Sequence, residues 1–335
     1  MVQNNIYYLN KTYQNLSNIF KENPVDTVEL FFITSTKSKN RNKYSAYRAP
    51  LELGVTPGTL YNIGENTLKK YDLYKKDNKL IFTEYSVYAN KEDDTSDEGE
   101  LTYIFSDEDG KGVHSIPNYD EILTQLKSGE LDEFDHDNQK PWAYIIRIKI
   151  DNDCIYLFRK ATKQTLIGDD DFILNKEGGK YNYFPHILVS LSRYADCIVM
   201  DDIMFIFDKN NFESIFRYND YYVQYIEERI EHLVGMNLVH DELGLVEMCK
   251  TDLRKVRRLK RVLDKKSYQN YTHDNLIDTI NTYNLNINLD DESGKMIVTS
   301  KNIYQVLSVL EDYCALSHIN KNRMVISAAQ TVKRE

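Results

Sequence analysis

The sequence predicts an α+β fold in which mixed and antiparallel sheets of hairpins pack with amphipathic helices, divided into two parts. Three observations predict it. Residues 146–150 alternate isoleucines with basic residues, a period of two that is typical of a half-buried β-strand. Residues 197–200 and 203–207 are apolar runs on either side of Asp201-Asp202, which indicates two strands joined by a tight turn. Apolar residues at helical spacing then follow, so a helix is expected to cover the sheet.

Length and composition limit the class of protein. The 335 residues are enough for two domains, and a hydrophobic share of 41% excludes a disordered chain. The four cysteines lie far apart and form no Cys-x-x-Cys pair, so we expect no zinc cage and no cofactor. There is no signal peptide and no apolar run of the ~18–20 residues that a membrane span needs. We therefore expect a cytoplasmic protein.

The first part of the chain reads as alternating helices and strands. Pro24 is expected to end the first helix, because proline has no amide hydrogen to donate. The acidic stretch 130–137, closed by Pro141, predicts a boundary between an acidic domain of residues 1–140 and a second domain of residues 141–335. The elements expected in the first domain are a helix over 3–21, strands over 28–34 and 44–48, a helix over 57–71, a hairpin of 80–88 with 101–106, and a helix over 119–126.

The second part opens with two predicted hairpins. Residues 151–153 supply the first turn, since Asp and Asn tolerate left-handed backbone dihedrals. Asn210, with Glu213 three residues later, is expected to form the capping box of the next helix, and Thr251 is expected to cap a basic helix over 252–266. The other expected elements are one helix that ends at Gly235, a helix over 275–283, a hairpin of 285–290 with 295–299, a helix capped by Ser300, and a strand over 324–332.

Charge is distributed unevenly along the chain. The net charge is −10, and residues 1–140 hold 24 acidic and 16 basic side chains, whereas residues 250–266 alone hold nine basic and two acidic ones. On a helical wheel the leucines and valines of the basic helix fall on one side and the basic residues on the other. Guanidinium groups on one face suit phosphate oxygens, because they donate in pairs and displace counterions. The predicted DNA-binding residues are Arg254, Lys255, Arg257, Arg258, Arg261 and Lys265.

Other interpretations stay open. The basic helix could be a solvated face, or it could pair with acidic side chains elsewhere in the chain. Residues 251–299 follow a helix–helix–hairpin order similar to a winged helix-turn-helix, although Asp274 and Asp278 would place acidic groups in the groove. Asp201 and Asp202 could belong to a metal-dependent nuclease, but no Glu-x-Lys follows on an adjacent strand. No nucleophile–base motif and no phosphate-binding glycine loop occurs, so the sequence favours a protein without enzymatic activity.

Three segments carry a resemblance to a known family. Residues 142–161 (WAYIIRIKIDNDCIYLFRKA), residues 196–216 (DCIVMDDIMFIFDKNNFESIF) and residues 298–322 (VTSKNIYQVLSVLEDYCALSHINKN) resemble the bacterial Kiwa antiphage KwaB family. The resemblance implies a dimeric cytoplasmic effector that binds phage DNA and works with a membrane-spanning KwaA-like subunit. It implies no hydrolytic chemistry and no catalytic residues. The alternatives from other classes are a metal-dependent nuclease of a defence system and a non-enzymatic adaptor subunit.

Overall fold

A computed structural model describes residues 2–22, 27–37, 42–49, 57–76, 80–85, 100–105, 112–151, 153–167, 174–177, 180–183, 188–235, 237–312, 314–316 and 323–325. The chain divides into two compact units. Unit 1 consists of Met1–Tyr85 and Glu98–Arg217, and unit 2 of Ser86–Asp97 and Tyr218–Glu335. Among the described residues, no helix combines the length and the apolar character needed to cross a membrane.

The described helices and strands follow one another along the chain in a mixed order. The helices are α1 (Val2–Glu22), α2 (Pro57–Lys76), α3 (Tyr119–Lys127), α4 (Lys209–Ile215), α5 (Tyr218–Glu227), α6 (Ile230–Val234), α7 (Glu242–Lys250), α8 (Leu253–Lys265), α9 (His273–Thr282) and α10 (Ile303–Leu310). The strands are β1 (Thr27–Lys37), β2 (Asn42–Ala49), β3 (Ile81–Glu84), β4 (Glu100–Phe105), β5 (Ala143–Ile150), β6 (Asp153–Lys160), β7 (Leu166–Ile167), β8 (Leu174–Glu177), β9 (Lys180–Tyr183), β10 (Leu188–Val189), β11 (Cys197–Met200), β12 (Ile203–Ile206), β13 (Cys314–Leu316) and β14 (Arg323–Val325).

One large sheet organises unit 1. In the described residues, eight strands pair in the order β2-β1-β5-β6-β11-β12-β4-β3. Both predicted hairpins at its centre are confirmed: β5 and β6 are antiparallel, as are β11 and β12. Each is turned by an aspartate in the left-handed region, Asp151 at φ 51° and Asp201 at φ 53°, because a short polar side chain tolerates that conformation. The predicted α+β class is therefore confirmed.

Helices cover both faces of this sheet. Side chains of α1 and α2, such as Tyr13 and Tyr61, share a core with Phe32, Ile146 and Ile148. α3 and α4 pack on the other face, where the ring of Phe158 lies 6.3 Å from that of Tyr119 in α3 and 5.4 Å from that of Phe216, the residue after α4. β5 is therefore covered on both faces, and the prediction that it is half-buried is wrong.

Burial on both faces leaves one basic side chain of β5 inside the protein. Arg147 is only 6% exposed. It donates to a carboxylate oxygen of Glu29 at 2.8 Å and to the carbonyl of Leu126 at 2.6 Å. These partners compensate the charge that the alternating pattern had placed towards solvent.

Several local expectations differ from the structure. β3 and β4 lie side by side but run parallel, so residues 80–88 and 101–106 do not form a hairpin. The cap of α4 is Asp208, whose carboxylate accepts from the Asn211 amide, rather than Asn210. Glu213 is buried and accepts from the Tyr85 hydroxyl at 2.8 Å, so it does not close a capping box. A polar residue one or two positions from the true cap fits the same sequence pattern, which is why the sequence misplaced it.

The chain divides at a different point from the one that the sequence suggested. β1 and β5, which lie on opposite sides of residue 141, are hydrogen-bonded neighbours in the sheet of unit 1. The two compact units meet in sequence between Arg217 and Tyr218. An acidic stretch followed by proline indicates an exposed connection, and such a connection can join two strands of one sheet as readily as two domains.

Unit 2 is built mainly from short helices. The single helix expected to end at Gly235 is divided into α4, which belongs to unit 1, and α5 and α6, which belong to unit 2. Arg217 at φ 52° ends the first segment. The helix expected over 275–283 is confirmed as α9, with Thr272 as its cap. The hairpin expected at 285–299 is reduced to a bridge between Leu289 and Met296. Ile303 and the other predicted inward residues of α10 are buried, as expected, and of the final predicted strand only Met324 and Val325 belong to the described residues.

Candidate nucleic-acid interface

The predicted basic helix exists as α8, and it begins one residue later than expected. Asp252 rather than Thr251 caps it, because the Asp252 carboxylate accepts from the Arg254 amide at 2.8 Å. α8 packs against α5, α7 and α10 within unit 2. Its apolar side is buried as the wheel predicts, with Val256, Leu259 and Leu263 at 4% exposure or less. Packing on three sides leaves little of the helix surface open to solvent.

The centre of the basic stripe is occupied by a buried ion-pair cluster. The Nε of Arg258 donates to Glu311 at 2.7 Å, and an Nη of the same guanidinium contacts the same carboxylate oxygen. That Nη also donates to the Ser308 hydroxyl at 2.8 Å. The Nε of Arg261 lies 3.2 Å from the other oxygen of Glu311. Burial raises the pKa of Glu311, and the attraction of Arg258 and Arg261 opposes that rise. These arginines therefore hold α8 and the end of α10 together.

A second cluster neutralises the following turn of α8. Lys260 is 7% exposed, and its Nζ lies 2.6 Å from the Asp264 carboxylate. The Tyr225 hydroxyl donates to the same aspartate, and the Lys260 ammonium lies 4.3 Å from the Tyr225 ring centre. Arg257 is also buried, at 6% exposure. Neither basic side chain presents its charge to an approaching polyanion.

Accessible positive charge remains at the two ends of α8. Arg254 is exposed and Lys255 is half-buried at the start of the helix, while Lys265 and Lys266 are exposed at its end. We call these four residues the terminal cations of α8. Beside the first pair lies Tyr304, which is 41% exposed and has the Lys255 ammonium 5.8 Å from its ring centre.

The six predicted DNA-binding residues thus fall into two groups. Arg254, Lys255 and Lys265 belong to the terminal cations, whereas Arg257, Arg258 and Arg261 lie largely inside unit 2. Sequence reasoning missed Glu311, the acceptor that draws two of these arginines inward. A signal for it existed: Glu311 follows Leu307 by four residues, so it continues the buried face of α10.

The carboxylates proposed for a nuclease lie at the β11–β12 turn of unit 1. Asp201 is partly buried there, and burial together with Asp153 and Asp202 raises the pKa of its carboxyl group. In the described residues no group of three or more His, Cys, Asp or Glu side chains is arranged to hold a metal ion. The turn supplies an acidic pair and no further ligands from that set.

Comparison with known proteins identifies one family. The model of the family described as "Kiwa protein KwaB-like" matches residues 138–320. This range takes in the two central hairpins of unit 1, α8 and α10. No curated protein and no solved structure matches the chain.

Proposed function

Because the chain belongs to the Kiwa protein KwaB-like family, we propose that it is the component of Kiwa antiphage defence that binds DNA, through phosphate contacts. Membership of the family supports the role in defence. DNA binding goes beyond family membership. The observation that supports it is the accessible positive charge of the terminal cations of α8. Phosphate contacts carry no base information, so the binding we propose has little sequence preference.

The spacing of the terminal cations suits a phosphate backbone. Arg254 and Lys265 are eleven residues apart on one helix, which corresponds to roughly 17 Å along its axis. That distance equals the rise of roughly five base pairs of B-form DNA. The two ends of α8 can therefore meet separate phosphates, while the centre of the helix stays packed inside unit 2.

The ion pairs at the centre of α8 also make the helix a rigid support for such contacts. Arg258 and Arg261 are held by a carboxylate with a fully buried side chain, so the helix is fixed in place before any ligand arrives. Rigid placement lowers the entropic cost of binding.

The partners we propose follow from the family. A membrane-spanning KwaA-like subunit and a second copy of this chain would complete the assembly. Copurification tests the first partner: a tagged chain that is co-expressed with the membrane subunit should retain that subunit through a detergent wash. Size-exclusion chromatography with multi-angle light scattering tests the second: the chain alone should elute at about twice its own mass. A monomeric mass would contradict the dimer.

The DNA-binding proposal is tested by reversing accessible charges only. The double substitution Arg254→Glu and Lys265→Glu changes one residue at each end of α8 and keeps Arg258, Arg261 and Glu311 themselves. We expect affinity for a 30-base-pair duplex to fall by at least roughly 100-fold, because two attractive contacts become repulsive. Fluorescence anisotropy at fixed salt measures it, and phage-plating efficiency measures protection.

The matched control reverses two lysines of unit 1. Lys11 and Lys127 are both exposed, so Lys11→Glu with Lys127→Glu changes the net charge by the same amount. The control should bind DNA within a few-fold of the unmodified protein. Equal losses in the two variants would mean that net charge alone governs binding. Unchanged DNA binding with lost protection would favour an adaptor role for α8.

A further inference from the structure

A polar cavity of about 240 Å³ lies beside the end of β6 in unit 1. Its wall contains two cations, the side-chain amide of one glutamine and five hydroxyl groups. The lining residues are Tyr144, Arg159, Lys160, Thr162, Gln164, Thr165, Ser190 and Ser192. All of these groups donate hydrogen bonds, and no carboxylate lines the cavity among the described residues. Such a lining matches a ligand that is rich in hydrogen-bond acceptors and negatively charged.

Arg159 is fixed in this wall by a buried aspartate behind it. Its guanidinium donates to Asp196, whose side chain is fully buried. Asp196 also accepts from the backbone amide of Lys160 at 2.6 Å and from the side-chain amide of Asn211 at 3.0 Å. One Nη of Arg159 makes the pair with Asp196, and in the described part of the chain the other guanidinium donors have no acceptor. Those donors are available to a ligand.

Lys160 stands on the opposite side of the same strand end, against the only tryptophan of the chain. Its Nζ donates to the Trp142 carbonyl at 2.7 Å and lies 3.3 Å from the centre of the indole ring. The Arg217 guanidinium lies 4.1 Å from the same ring centre. Three cations therefore surround this strand end, and Asp196 is the ion-pair partner of Arg159.

Two hydrogen bonds between Thr162 and Thr165 hold the turn that closes the cavity. The Thr165 amide donates to the Thr162 carbonyl at 3.0 Å, and the Thr162 amide donates to the Thr165 hydroxyl oxygen at 2.9 Å. On the far wall the Tyr144 hydroxyl accepts from the Ser192 amide at 2.8 Å, so its own proton remains to be donated. The donors are placed before a ligand binds.

From this arrangement we propose that the cavity is a binding site for a small phosphate-bearing ligand, either inorganic phosphate or a phosphomonoester. A phosphate group has enough acceptor oxygens for both the Arg159 guanidinium and the hydroxyl groups. A single carboxylate has only two oxygens and would leave some of these donors without an acceptor. The volume is below the range usual for drug-sized ligands, so it suits one phosphate with little attached to it. The site lies in unit 1 and does not depend on DNA binding by α8.

Trp142 offers a direct readout. Inorganic phosphate is titrated into the full chain at constant ionic strength while tryptophan fluorescence is recorded, and isothermal titration calorimetry measures the same binding independently. We expect saturable binding of phosphate and none of chloride. In Lys160→Gln the affinity should fall by at least roughly tenfold, because a charged hydrogen-bond donor is lost. In Thr162→Val, a substitution at an exposed position, it should fall by a smaller factor.

Lys163→Gln is the matched control, since Lys163 is exposed on the same turn and does not line the cavity. It should bind phosphate like the unmodified protein. Methyl phosphate, a small phosphomonoester, is titrated in parallel: tighter binding than phosphate assigns a phosphomonoester, and weaker binding assigns the free ion. Absence of phosphate binding in both assays overturns the proposal. An equal loss of phosphate affinity in Lys160→Gln and Lys163→Gln also overturns it. Binding of a ten-nucleotide single strand, with no binding of either small ligand, overturns it as well.

Discussion

Two cationic regions of this molecule, α8 and the cavity beside β6, differ in how much of their positive charge a ligand can reach. α8 is the most basic stretch of the chain, yet Arg258 and Arg261 both face the buried carboxylate of Glu311. The cavity beside β6 has only two lining cations, but its lining contains no carboxylate among the described residues. A dense run of basic residues can thus leave less accessible charge than a sparse pair.

The difference arises from where each carboxylate lies. Glu311 sits on the buried face of α10, and together with the Tyr304 carbonyl and the Ser308 hydroxyl it accepts hydrogen bonds from the guanidinium of Arg258. Asp196 lies behind Arg159 and occupies one nitrogen, so the rest of that guanidinium faces the cavity. In one region the acid removes a cation from the surface, and in the other it orients a cation towards a ligand.

The largest effect that tests this contrast is on stability. Arg258→Ala should lower the free energy of unfolding by about 3–5 kcal/mol, because it leaves Glu311 buried with part of its compensating charge removed. Arg254→Ala, at an exposed position of the same helix, should change it by no more than about 0.5 kcal/mol. Urea unfolding followed by circular dichroism measures both. Similar values for the two variants would show that the Glu311 cluster does not hold α8 in place.

A smaller effect concerns the pH dependence of the cavity. Burial lowers the pKa of Lys160 to about 8, with Arg217 contributing and Asp196 opposing. Lys160 is therefore charged below that pH and loses its charge as pH rises through it. The charged fraction falls from about 90% at pH 7 to about 10% at pH 9, so affinity for an anion should fall by up to about tenfold.

Sulfate is the probe for that experiment, because its charge is constant over this range. The groups around Lys160 that carry charge are Arg159, Arg217 and Asp196. Calorimetry at both pH values should show the loss in the unmodified protein and none in Lys160→Gln. An equal pH dependence in the variant would assign the titration to another group.

Much of the fold followed from local patterns. The two central hairpins could be predicted because each joins β-branched runs through an Asp-containing turn, and the left-handed conformations of Asp151 and Asp201 agree with that. The inward residues of α10 followed from helical spacing in the same way. The parallel pairing of β3 with β4 could not be predicted, because the residues between them carry no signal for strand direction.

The candidate sites were only partly accessible from the sequence. The wheel placed the basic residues of α8 opposite its leucines, but a wheel assumes one buried side, and this helix is packed on three. Arg147 gives the same lesson in the sheet, where a second covering layer buried a residue assigned to solvent. The cavity joins Tyr144, Arg159 and Ser192, which are distant in sequence and share no motif. Charge patterns predict which residues are polar, whereas accessibility depends on tertiary contacts.

The salt dependence of DNA binding tests the central claim most directly, since the slope counts the cations that reach phosphate. Four terminal cations per chain predict a slope of log affinity against log salt of roughly −3.6, at about −0.9 per contact. Replacing Arg254 and Lys265 by glutamine leaves two and should reduce the slope to roughly −1.8. A slope that stays at its original value in this double variant would contradict the assignment of DNA contacts to the ends of α8.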